Sequence, residues 1–124
     1  MKFGMSGEAL KREIEAMASL AGIVGCALVE MEGGLPWCSA GGDDTVPMAE
    51  AATDYWRLTL RHHHLFARLG DLTVQVLIHS CGRITTVACP KQLLLVTISA
   101  EPDKVDWTRW KEGVGRLHAA VRAT

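Results

Sequence analysis

The feature that most constrains this chain is the run Leu93-Leu94-Leu95-Val96-Thr97-Ile98. It is short, almost wholly aliphatic and shows no alternation with polar residues. A strand buried on both faces reads this way. Such a strand needs helices on both sides of its sheet, so the run alone predicts three layers, helix on sheet on helix.

The rest of the chain supplies those layers. Ser6 is placed to cap a first helix, with Glu8 in its first turn, where the helix dipole favours an acid. Leu10, Ile14, Met17 and Ala21 recur at helical spacing, and Gly22 ends the pattern. Ile23 to Met31 reads as a strand. Glu32-Gly33-Gly34 signals a hairpin, and Leu35 to Ala40 returns, with Pro36 tolerable near an edge or a strand start. After the Gly41-Gly42-Asp43-Asp44 loop, Asp44 or Thr45 caps a long second helix with Pro47 in its first turn. The pattern carries this helix to about Leu69, and Gly70 stops it. Its apolar stripe is read as Met48, Ala51, Ala52, Tyr55, Leu58, Leu65 and Leu69.

Beyond Asp71 the period becomes two. Leu72, Val74, Val76 and Ile78 share one face; Thr73, Gln75, Leu77 and His79 share the other. A tight turn over residues 80–83 leads to a partner strand, Ile84 to Cys89, and Pro90-Lys91 turns into the apolar run. Asp103 is read as the cap of a last helix with Trp107, Trp110, Val114, Leu117 and Val121 on one stripe. The order is α-β-β-α-β-β-β-α. Only the connection through the second helix exceeds hairpin length, so the five strands form a mostly antiparallel sheet of the mixed α/β (α+β) class.

The 124 residues suit one ordinary domain, 1–124, able to bury a core without staples. A net charge of −1 gives no global pull toward nucleic acid or an acidic membrane. No run approaches the roughly 18 apolar residues of a membrane span, and the first residues, Lys2 onward, lack a secretory pattern. The expectation is a cytoplasmic protein. Cys26, Cys38, Cys81 and Cys89 have no paired spacing and sit in or beside apolar runs, so they read as reduced, unreactive thiols. Cys81, in its turn, is the possible exception.

The order and punctuation together resemble the roadblock/dynein light chain family. The resemblance is carried by Gly22 through Glu30, the Glu32-Gly33-Gly34-Leu35 turn, the alanines Ala49, Ala51 and Ala52, the Leu69-Gly70 break, and Gln92 through Ile98. It covers nearly the whole chain, and its strength lies in order and spacing. It implies a five-stranded sheet with the second helix on one face and the first and third on the other. It implies homodimers in which third strands pair edge to edge and copies of the second helix lie side by side. On this chain that seam maps to Asp71, Thr73, Gln75, Leu77 and His79, with Tyr55 and His62 from the helix. Bacterial gliding-motility members regulate small Ras-like GTPases, and the family has no catalytic residues to carry over. The sequence departs from the family at Tyr55, Trp56 and His62-His63-His64, where small or aliphatic residues are expected.

The histidine triplet does not read as a metal site. Neighbours on a helix point about 100° apart, and no second ligand stands four residues on, where Phe66, Ala67 and Arg68 lie. The plainer reading puts one ring half under the apolar stripe and two at a surface. Arg57, Arg61, His64 and Arg68 follow helical spacing and form an exposed basic stripe with Trp56 at its margin. That stripe is either solvated surface or a docking face for an acidic partner. Nucleic acid fits poorly, since nothing aromatic is interleaved on that face. Cys81 with His79 lacks a group to orient the base, and no Gly-rich loop followed by Lys-Ser/Thr marks a phosphate site. No cofactor is implied.

Two functions of different class remain. One is a non-catalytic dimeric scaffold or regulator that binds a small GTPase or another switch protein. The alternative is a small-ligand sensory module of profilin-like or PAS-like architecture, which needs a cavity with converging polar groups. A small hydrolase or redox enzyme ranks third.

Overall fold

The computed structural model describes residues 4–124, with side chains described from residue 7. The elements are α1 (Gly4–Ala18), β1 (Ile23–Glu30), β2 (Pro36–Gly41), α2 (Thr45–Arg61), β3 (Val74–His79), β4 (Gly82–Cys89), β5 (Leu93–Ser99) and α3 (Trp107–Arg122). The five strands form one sheet in the order β2-β1-β5-β4-β3, every pair antiparallel. The element order is the one the sequence predicts. β5 lies at the centre with all seven residues buried, as the unbroken apolar run requires.

Alternate residues of β5 feed two cores. Leu93 and Leu95 join Leu10, Ile14 and Met17 of α1 and Trp110, Leu117 and Val121 of α3. Leu94 and Val96 join Ala27 and Val29 of β1 and Ala49, Ala52 and Trp56 of α2. Burying each of the larger side chains is worth roughly 1.5–3 kcal/mol. Trp110 Nε1 donates to Thr97 Oγ1 at 3.0 Å, so α3 is fixed to β5 by a buried hydrogen bond. Trp107 packs edge-on against Trp110, with ring centroids 5.3 Å apart. Gly113 lets α3 approach α1: a Cβ there would come within 2.9 Å of the Met17 side chain. Gly25 does the same for α2, whose Thr45 would collide with any Cβ on β1.

Several boundaries differ from the sequence reading. α1 begins at Gly4, ahead of Ser6, so Ser6 lies inside the helix; its side chain is outside the described residues. α1 ends at Ala18 and leaves Ala21 exposed. α3 starts later than Asp103 implies. Pro102–Lys104 is a single 3-10 turn, and the cap is Asp106, whose carboxylate accepts from the Arg109 N–H at 3.1 Å. α2 follows Asp44, which makes no side-chain cap bond. It stops at Arg61, and residues 62–70 continue as two 3-10 turns, His63–Leu65 and Ala67–Leu69. β3 starts at Val74 rather than Asp71.

Cys26 and Cys89 are buried, Cys38 is half-buried and Cys81 is exposed; all four thiols are free. Burial pushes the Cys26 and Cys38 thiols up to about 11 and Cys89 to about 12, which keeps them protonated and poor nucleophiles. No helix among the described residues is long and apolar enough to cross a membrane.

Candidate interaction surface

The sheet has two edges. β2 carries Pro36, and its register with β1 shifts between Leu28 and Val29. Its Trp37, Cys38 and Ala40 pack against the α1/α3 core. Proline and irregular register blunt an edge against further strands. β3, the other edge, runs Val-Gln-Val-Leu-Ile-His with neither proline nor lysine. It pairs with β4 in unbroken register from Val74↔Val87 to His79↔Gly82. Its outer side has no strand among the described residues.

Both faces of β3 are incompletely covered. Val74 lies opposite Val87, on the α1/α3 side, and Val76 and Ile78 follow on that face. All three are exposed, Ile78 to 73%. Gln75 and Leu77 face α2 and are half-buried, and Gln75 Nε2 donates to Thr59 Oγ1 at 2.7 Å. Asp71 and Thr73 precede the strand and are exposed, as is His79 at its far end.

The C-terminal end of α2 reaches this edge, where Thr59 accepts from Gln75. Met48, Tyr55 and Leu58, read from sequence as core, are exposed, and so are Leu65, Phe66 and Leu69 in the segment that follows. The buried face is Ala49, Ala52, Thr53 and Trp56, about one residue, or 100°, around the helix. Trp56 is 1% exposed. It therefore cannot serve as an aromatic anchor at the margin of a docking surface. The physical reason is helix–sheet distance. Ala49 and Ala52 let the helix axis come close over β1 and β5, and the space left at the helix's far end takes one large ring. Small residues beside a tryptophan are the available signal; hydrophobicity alone favours the other face.

The basic stripe also breaks. Arg57 is half-buried, and its guanidinium donates to the carbonyls of Met31 at 3.2 Å and Glu32 at 2.8 Å and pairs with Asp54. It fastens α2 to the β1–β2 turn instead of pointing outward. Arg61 ends the helix, and His64 and Arg68 lie in the 3-10 turns. These three are exposed. They sit near one end of α2 but not along one helical face. His62, His63 and His64 are all exposed, so no ring of the triplet tucks under the helix. Among the described residues, no three histidine, cysteine, aspartate or glutamate side chains cluster as metal ligands.

No protein-family model and no curated protein matches the sequence. Solved structures do match in three dimensions. The roadblock/LC7 domain from Streptomyces avermitilis superposes with a TM-score of 0.76 at 16% identity, over 91% of this chain and 94% of that one. MglB of Myxococcus xanthus gives 0.77 at 15%, over 94% and 90%. The gliding protein MglB of Thermus thermophilus gives 0.79 at 15%, over 100% and 96%. The likeness spans nearly the full length of both partners in each pair, so the chain has the roadblock fold.

Proposed function

We propose that this chain is a non-catalytic, cytoplasmic homodimer that serves as a platform for a small Ras-like GTPase or a related switch protein. The observation that carries the reading is the unprotected β3 edge, together with the exposed apolar face of α2. A long, regular edge without proline or lysine invites pairing, and pairing with its own two-fold mate removes it. Exposed apolar side chains gathered on one helix face, as Met48, Tyr55 and Leu58 are, mark association surfaces. In the dimer, β3 pairs with β3 along Gln75, Leu77 and His79, with Asp71 and Thr73 at the seam's end. Tyr55 and His62 meet their mates across the adjoining copies of α2. Arg61, His64 and Arg68 then rim the shared platform as the partner's contacts.

The structural match to MglB, a gliding protein, supports the partner class through the family resemblance. Light scattering at micromolar concentration tests the first half and should return twice the chain mass. The second half is tested with purified small Ras-like GTPases from the same cell, loaded with GDP or a non-hydrolysable GTP analogue. Binding that depends on the nucleotide is the expected result. A monomer, or indifference to every such GTPase in both states, overturns the reading.

A further inference from the structure

We propose that the cleft between the end of α2, the 62–70 segment and the start of β3 binds a neutral molecule of aromatic size carrying a hydrogen-bond acceptor. The cleft has a volume of about 690 Å³, within the usual range for small-molecule sites. Its lining is mainly apolar, with Phe66, Leu69 and Leu72 among its walls, and Trp56 reaches it from α2.

Trp56 supplies the chemical argument. Its indole N–H is buried and has no hydrogen-bond partner among the described residues. Native interiors leave few donors unmade, because water is lost and nothing replaces it. A phenylalanine would place a smaller aromatic ring between sheet and helix without that cost. Of the three buried side-chain nitrogens without a partner among the described residues, Trp56 Nε1, Arg83 Nε and His118 Nε2, only that of Trp56 belongs to a residue lining this cleft, where an acceptor on a bound molecule would satisfy it.

Access lies through the 62–70 segment. Its backbone hydrogen bonds are local: Leu65 to His62, Phe66 to His63, Leu69 to Phe66 and Gly70 to Ala67. The segment can move without breaking a bond of the sheet. The charge around the cleft sets the ligand class. Asp71 and His63 line it and no lysine or arginine does, so no fixed positive charge is there to hold an anion. A carbonyl on a flat apolar body meets both demands. This inference does not depend on the GTPase as partner, but Asp71 and Thr73 line the cleft and also end the proposed dimer seam.

The test uses prodan, a neutral naphthyl ketone whose emission reports its surroundings, titrated into the full chain. Saturable binding with blue-shifted emission is expected. Trp56→Phe removes the donor together with part of the ring; the lost donor should weaken binding roughly three- to tenfold, the worth of one hydrogen bond. Leu69→Glu, at an exposed mouth position, should weaken it at least tenfold with unfolding unchanged. Absence of saturable binding overturns the proposal, as does affinity indifferent to Trp56→Phe. Binding that vanishes as the protein associates also overturns it, because a second copy of the chain would then fill the cleft.

Discussion

Helix α2 carries two faces rich in apolar residues, and they meet opposite fates. One presents Ala49, Ala52, Thr53 and Trp56 to the sheet, all buried. The other presents Met48, Tyr55 and Leu58 to solvent, all exposed. Small residues over most of the inner face separate them, with Trp56 as the one large ring at its far end. A helix lying across a twisted sheet is held off by its bulkiest inward side chains, so small residues inside allow close contact and better packing. Tyr55 and Leu58 at the sheet would have lifted the helix and left voids around Leu94 and Val96. The larger apolar residues are then free for a surface, where aromatic and aliphatic groups drive association.

This contrast is broken most directly at Trp56. Trp56→Ala should destabilise the fold by about 3–5 kcal/mol, the cost of deleting a large buried ring. Chemical denaturation measures it. An unchanged midpoint would mean that the ring is not a core residue and that the faces are reversed. The outward face predicts the complementary result. If the proposed dimer forms through this face, Tyr55→Ala with Leu58→Asp should raise its dissociation constant roughly a hundredfold while leaving the monomer folded, as for paired hot-spot losses at an interface. Sedimentation at several concentrations gives the constant, and circular dichroism checks the fold. Loss of the fold instead would place these side chains in the core.

Arg57 sharpens the boundary between the faces. It lies one residue from Trp56, with its guanidinium on the Met31 and Glu32 carbonyls. Its side chain is about a third exposed, so solvent screens much of its charge. Arg57→Ala should cost about 1 kcal/mol of stability, read from thermal unfolding, with no change in dimerisation. A stability change near zero would show the anchor to be ornamental and return Arg57 to the solvated surface.

The sheet was legible in the sequence because its signals are binary. A run apolar on both sides, hairpins marked by Gly33-Gly34 and Gly82, and a period of two from Val74 to Ile78 carry it; Leu72, read on the same face, lies before the strand and packs on the α2 side instead. Helix phase was not legible at α2, because two stripes one residue apart were both apolar and propensity does not choose between them. The helix's end was missed for a similar reason. Residues 62–70 keep helical apolar spacing, but 3-10 turns hold nearly the same spacing over so short a stretch. The cap of α3 was misplaced because Asp103 and Asp106 both precede Trp107, and only the backbone shows which carboxylate reaches a free N–H. The candidate surface suffered from the phase error. Trp56 left it for the core, Arg57 left it for an anchor, and the exposed apolar face of α2 took their place.

The smallest effect is expected at the remaining basic residues, and it sharpens the contrast between apolar contact and charged rim. Arg61 and Arg68 are exposed, make no ion pair among the described residues, and stand near the same end of α2 as the exposed side chains of Leu65 and Phe66. Charges in such a place act at a distance. They steer an acidic partner into encounter and contribute little once water is expelled from the apolar centre. Arg61→Glu with Arg68→Glu should therefore change unfolding by no more than a few tenths of a kcal/mol per site. Association with an acidic partner should slow about three- to tenfold at low salt, with dissociation unchanged. Added salt should erase the difference, since about 0.15 M salt screens exposed charges beyond roughly 8 Å. Stopped-flow association at two ionic strengths measures this. A change confined to dissociation, or one that survives high salt, would place these arginines in the buried contact itself and make charge, rather than the apolar face of α2, the main holder of the partner.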